Sequence, residues 1–350
     1  MRTFSRPEAI ARMNRLGTAK EPFVFVVDYL QRHTHIERAT DVDPTEWLYN
    51  LNGFTNQATA ATMPLAAEMP PHSQLASYKE HEAFETEPLR WNISPEPEVV
   101  YAAAFAQVKT EILAGNSYLA NLTRRTPIRT NRTLQTLFYE AEAPYKIWLK
   151  DRFVCFSPEC FIRIANGQIR TYPMKGTADA ALIDAAQRLL ADTKEEAEHA
   201  TIVDLLRNDL SQVATEVTVS RYRYLEKILT PAGGLWQTSS EITGRLAPGW
   251  ETRLGDILYS LLPAGSITGA PKKKTCEIIA SAESHPRGYY TGIAGYFDGR
   301  KLDTTVLIRF IEQAGPHLYF HSGGGITSQS QQHNEYREMI QKINLPRPHP

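Results

Sequence analysis

Apolar and polar positions change period several times along the chain. A helix-like period runs through Val99, Val100, Ala103, Phe105, Val108, Ile112 and Leu113, with Ser94 placed as N-cap, Pro95 in the first turn and Gly115 as the stop. Upstream lie a short polar helix, a strand at Phe23–Tyr29 and an irregular Thr-, Ala- and Pro-containing stretch near residues 54–72. Downstream, β-type runs occupy 117–123, 145–150 and 152–157, followed by a hairpin in "CFIRIANGQIRTYPM" that turns on Asn166-Gly167. A long helical region covers about 180–210, strands with turns fill 215–246, and a helix starts at Pro271 and runs to about Ala282. The last third predicts a meander: "GYYTGIAGYF", a turn at Asp298-Gly299, one apolar strand "LDTTVLIRFIE", then "HLYFHSGGG"; a helix in "QHNEYREMIQKI" closes it. Meanders with helices between them predict an α+β protein rather than a doubly wound parallel sheet.

Composition narrows this picture only slightly. With 350 residues, 42% hydrophobic and 22% charged, one large β-rich domain is as well accommodated as two. A formal net charge of −1 leaves no electrostatic footprint for nucleic acid or an anionic membrane. The three cysteines, Cys155, Cys160 and Cys276, have no metal spacing and fit a reducing compartment. "FVFVV" is far shorter than the roughly 20 residues of a membrane helix, and the N-terminus lacks a signal-peptide pattern. The expectation is a cytoplasmic protein with neither a membrane nor a nucleic-acid partner.

Candidate chemistry sits in six places. Lys175 in "TYPMKGT" is a candidate nucleophile or acid/base, although an isolated lysine is usually a surface residue. Glu195 and Glu198, and again Glu335 and Glu338, are spaced i, i+3, so each pair shares one helix face. Such carboxylates suit a hard cation such as Mg²⁺, and equally a solvated acidic face. "PAGSITGAPKKK" lacks the P-loop spacing and is either a Gly-rich helix start whose free N–H groups bind an anion or a simple helix-entry loop. "HSGGGIT" is either a backbone nest for a carboxylate or a flexible connection. Arg309, inside the apolar run "VLIRFI", needs a carboxylate partner, structural or ligand.

The ordered segments "GNSYLANLT", "SPECF", "YPMKGT", "EEAEHATIVDLLRNDL", "AGSITGAPKKKTCEII", "RGYYTGIAGYF", "LIRF", "GGGIT" and "EYREMIQK" resemble the chorismate-utilising enzymes, and the resemblance spans about residues 93–345. Residues 1–92 match poorly and are taken as a short N-terminal part of the same domain, with 346–350 as a tail. The resemblance implies a single large domain in which two antiparallel sheets form a sandwich with helices outside. It implies that Glu198 and Glu338 bind Mg²⁺ with Glu195 and Glu335 nearby, and that the metal anchors the ring carboxylate of chorismate. It places Arg309, Tyr296 and Lys342 on the substrate carboxylates, with Thr268 and the backbone of Gly324 and Gly325 lining the pocket. It gives Glu159 as general acid/base at the C4 hydroxyl.

Lys175 separates the branches of that family. Anthranilate synthases are similar but carry "PIAGT"; aminodeoxychorismate synthases carry "PIKGT", which "PMKGT" resembles. The expected reaction is amination of chorismate to 4-amino-4-deoxychorismate, toward p-aminobenzoate and folate, with Lys175 as nucleophile. Ammonia then has to come from a separate glutamine amidotransferase subunit. Anthranilate synthase component I and a non-catalytic chorismate-binding subunit are the alternatives. Leu119 and Gln237 depart from the amine-using branch, where glutamine and histidine usually stand; glutamine cannot transfer a proton as histidine can.

Overall fold

A computed structural model describes residues 1–57, 87–230 and 233–346. Most of the irregular stretch expected near 54–72, and the last four residues of the tail, lie outside these. Two antiparallel sheets dominate. Across the ten-stranded sheet the order is Thr3–Phe4, Thr34–Arg38, Phe23–Val27, Ile293–Phe297, Leu302–Val306, Cys160–Ala165, Gln168–Thr171, Gly233–Arg245, Met174–Asp179, with Thr215–Thr230 also paired to Gly233–Arg245. The nine-stranded sheet runs Gly269–Ala270, Leu119–Thr130, His317–Ile326, Phe310–Ala314, Phe153–Ser157, Tyr145–Leu149, Trp47–Leu51, Phe54–Thr55, with Trp91–Ile93 beside Leu119–Thr130.

Strand alternation explains how these sheets stack. In "FVFVV" all five residues are buried, because Val24 and Val26 face the second sheet while Phe23, Phe25 and Val27 face helices. The inter-sheet core joins Val24, Val26 and Ala294 to Trp47, Ile147, Phe153 and Phe310. Helices Arg6–Thr18, Thr193–Ser211 and Leu254–Ser260 cover the outer face of the ten-stranded sheet. Helices Glu98–Leu113, Leu134–Glu140, Lys272–Ala282 and Gln332–Gln341 cover that of the nine-stranded sheet. This is a single-domain sandwich with its helices outside, as expected. No helix among the described residues is long and apolar enough to cross a membrane.

Four local expectations change. The helix expected from Pro95 begins at Glu98, since Glu96 precedes Pro97 and is sterically biased away from helical backbone. The helical region at 180–210 is two helices, Ala185–Ala191 and Thr193–Ser211, split where the Asp192 side chain accepts from the Glu195 N–H at 3.0 Å. "LDTTVLIRFIE" is two strands in different sheets, Leu302–Val306 and Phe310–Ala314. Arg309 is therefore not in mid-strand: it occupies the bend between them, with φ of 52°. The triple glycine is neither nest nor flexible link, because Gly323–Gly325 lie inside strand His317–Ile326, paired to Thr123, Leu122 and Asn121. The Asn166-Gly167 turn forms as expected, with φ of 54° and 71°.

Gly269 has the least room. Its φ is +127°, and an added Cβ would lie 1.8 Å from the Leu119 carbonyl oxygen. Gly269→Ala is expected to cost about 3 kcal/mol or more of stability, read as a lowered denaturant midpoint.

Candidate functional site

Lys175 lies in strand Met174–Asp179, whose register against Gly233–Arg245 shifts between Lys175 and Thr177. Gly176 makes this irregularity possible with φ of +68°. Its missing side chain also leaves space for Glu195, since a Cβ there would lie 2.9 Å from Glu195 Oε2. The Lys175 ammonium donates to Glu198 Oε2 at 3.0 Å, and both side chains are largely covered. Lys175 and Leu119 line two adjoining cavities. The more enclosed chamber is walled by Asn121, Glu159, Tyr172, Ser266 and Gly325 among others; the outward one is bounded by Tyr118, Glu198, Thr201 and the turn Thr327–Gln329.

Glu159 is held from several sides. Its N–H donates to Ser157 Oγ at 3.1 Å, and its carbonyl accepts from Thr305 Oγ1 at 2.7 Å. Its carboxyl reaches into the chamber and accepts from Ser266 Oγ at 2.5 Å. Burial pushes that carboxyl above the usual carboxylate range, and the Ser266 hydroxyl draws it partly back. A carboxyl so placed keeps its proton to higher pH than an exposed glutamate.

A second group gathers around the glycines. Gly325 faces Leu119 and Lys175, and an added Cβ would lie 2.9 Å from Leu119 Cδ1 and 3.8 Å from Lys175 Nζ. Gly324 faces Glu335 and Lys342, at 3.4 Å and 3.8 Å by the same measure. Lacking side chains, this stretch of strand admits both groups. Lys342 bonds Glu338 Oε1 at 2.8 Å and donates to the Gly323 carbonyl at 2.9 Å. Burial raises the Glu335 carboxyl, Ser330 and Lys342 lower it, and the charges of Glu338 and Glu198 raise it further. Glu335 thus sits within electrostatic reach of a carboxylate from each of the two helices.

Arg309 is half-buried and desolvated, and its Nη1 donates to the Lys342 carbonyl at 2.6 Å, just past helix Gln332–Gln341. A cation there complements the helix C-terminus. Thr268 is fully buried, its hydroxyl is committed to the Ala264 carbonyl at 2.8 Å, and its carbonyl accepts from Asn121 N at 2.9 Å. The "GSITGAPK" loop keeps its first helical lysine inward, Lys272 bonding Asp209 at 2.8 Å.

The structure does not bring Tyr296 to this group. Its ring stacks on Phe54 with centroids 4.7 Å apart, and it lines neither cavity. The buried Tyr290, six residues earlier in the same segment, is the tyrosine that feels the Arg309 charge. Ser266 and Asn121 were missed as chamber residues. Ser266 carried a signal, a hydroxyl in the same loop as Thr268. Leu119 is 6% exposed at the boundary of both cavities, and Gln237, opposite Thr177, has a buried side-chain oxygen with no hydrogen-bond partner.

For a cation, the fit rests on the donor set. Glu195, Glu198, Glu335 and Glu338 offer only carboxylate oxygen, as Mg²⁺ prefers. Glu198 and Glu338 are already paired with ammonium groups of Lys175 and Lys342, so this charge calls for positive partners. Among the described residues no three His, Cys, Asp or Glu side chains form a ready cage. Mg²⁺ characteristically takes only one or two carboxylates and fills its shell with water and substrate oxygen.

The family model for chorismate binding enzymes matches residues 2–347. An uncharacterized PabA-like protein of Pasteurella multocida is 47% identical over 337 residues, covering 96% of this chain and 98% of that protein. Aminodeoxychorismate synthase component 1 of Salmonella typhimurium is 34% identical over 258 residues, covering 70% of this chain. The match spans only 56% of that relative's length. The menaquinone-specific isochorismate synthase of Escherichia coli superposes over 98% of this chain and 82% of its own, with a TM-score of 0.69 at 16% identity, a likeness of fold. By sequence and by architecture, the chain belongs to the chorismate binding enzyme family.

Proposed function

We propose that this chorismate-utilising enzyme is an aminodeoxychorismate synthase component I. It converts chorismate and ammonia to 4-amino-4-deoxychorismate, toward p-aminobenzoate and folate. Ammonia comes from a glutamine amidotransferase partner. The observation that supports the reading is Lys175, which shares the lining of one chamber with Glu159.

The reaction divides between those two groups. Hydroxide leaves poorly, so the C4 oxygen must be protonated as it departs, and Glu159 is the enclosed acid for that. The neutral Lys175 amine attacks C2. Lys175, an ammonium beside Glu198, gives one proton to solvent to become the nucleophile and a second to solvent as its bond to C2 forms. The ring double bond shifts, Glu159 protonates the C4 oxygen, the C4–O bond breaks and water departs. Ammonia then bonds to C4 and returns a proton to the Glu159 carboxylate, while the ring double bond shifts back, the C2–N bond breaks and Lys175 leaves with a proton from solvent. Arg309 and Lys342 supply positive charge for the carboxylates of the substrate. Glu198 and Glu338, with Glu195 and Glu335 beside them, would hold Mg²⁺. When bound, the metal neutralises a substrate carboxylate and draws electron density from the conjugated ring.

The test is direct. Incubation with chorismate, Mg²⁺ and ammonium salt, followed by an aminodeoxychorismate lyase, is expected to give p-aminobenzoate. Untouched chorismate under saturating ammonium would reject the enzyme reading. Anthranilate fluorescence without any lyase would move the chain to the anthranilate branch.

A further inference from the structure

Beside the chamber, a side-chain ion pair takes the place of a strand. Strand Leu119–Thr130 has His317–Ile326 along one edge, but on the other Gly269–Ala270 covers only Ala120 and Leu119 and Trp91–Ile93 only Ile128–Thr130, with a gap between. Just beyond, Arg287 Nη2 donates to the Asn121 carbonyl at 2.6 Å, and Glu283 Oε1 accepts from Thr123 N at 2.9 Å and Thr123 Oγ1 at 2.8 Å. The two side chains grip each other through bonds of 2.8 and 2.7 Å and are 2% and 3% exposed. Arg287 Nη1 also donates to the Ile267 carbonyl at 3.0 Å, which Asn121 Nδ2 meets at 3.0 Å as well.

Burying an ion pair is a poor way to gain stability, since apolar side chains of similar volume often do as well. What this pair provides is direction: one acceptor and several donors, aimed at backbone groups left open by the short strand. Those groups belong to Asn121 and to the loop that carries Ser266, whose hydroxyl donates to Glu159.

We propose that Arg287, oriented by Glu283, is a positioning residue for Glu159, acting through the Ile267 carbonyl and Ser266. The inference rests on the functional reading above. Lysine carries its donors on one nitrogen and cannot hold the two bonds to Glu283 and still reach both carbonyls from separate nitrogens, as the planar guanidinium does. In the ammonium-driven assay, Arg287→Lys and Ser266→Ala should each lower kcat about 10-fold with little change in KM for chorismate. The double variant should also lose about 10-fold, because both changes break one path. A product of the two losses, about 100-fold, would make Arg287 a structural staple with no path through Ser266 and overturn the proposal. Should Arg287→Lys not fold, Glu283→Gln, isosteric and uncharged, takes its place in the same comparison with Ser266→Ala. An inactive wild-type chain would sink the functional reading itself; an active one with multiplying losses sinks only this inference.

Discussion

Lys175→Ala is expected to lower ammonium-dependent chorismate consumption by about 10,000-fold, because no other amine among the described residues lines the chamber to take the covalent route. The substitution removes a partly covered side chain at a strand irregularity, so the fold should survive it. With ammonium withheld and chorismate present, the wild-type chain should gain the mass of chorismate less one water, and Lys175→Ala should not. Intact-protein mass spectrometry reads this directly. An unchanged rate and product in the variant would remove Lys175 from the chemistry and leave the family assignment standing.

Glu159→Gln comes next, with an expected loss of about 1,000-fold in kcat. Glutamine keeps the volume and can still accept from Ser266 Oγ, so the chamber is preserved. It cannot deliver a proton to the departing oxygen. KM for chorismate should therefore stay within a few-fold while kcat collapses. The direction of the wild-type pH profile follows from the same carboxyl. Because burial holds it above the usual range, the protonated acid persists toward neutrality, and activity should decline on the alkaline side as that proton is lost. A variant with near-normal kcat would end the role given to Glu159.

Local chemistry was legible in the sequence wherever a single residue type carries its own geometry. Asn166-Gly167 could only be a tight turn. The i, i+3 glutamates had to share helix faces, although only the packed chain brings Glu335 within reach of Glu198. Sheet membership was hidden. "LDTTVLIRFIE" carries an apolar run from Val306 to Ile311 broken only by Arg309, because the chain passes there from one sheet into the other, and nothing in its period marks the bend. Tyr290 and Tyr296 stand six residues apart in one segment, and only the third dimension shows which of them neighbours Arg309. The break at Asp192 was legible and overlooked: an aspartate three residues before Glu195 is a helix-start pattern. Arg287 and Glu283 look like an ordinary i, i+4 pair, and their substitution for a strand is visible only once that edge is seen to lack a partner strand between Ala120 and Ile128.

The crossing at Leu307–Arg309 is one of five among the described residues, for the chain enters each sheet in three separate blocks of strands. Neither sheet corresponds to a continuous stretch of polypeptide. A truncation from either end that passes the first crossing it meets takes strands from both layers together. Inheritance of this architecture is consequently all or nothing. The chamber cannot be passed on as a module, because its walls come from residues 119 to 325 and are threaded through both layers.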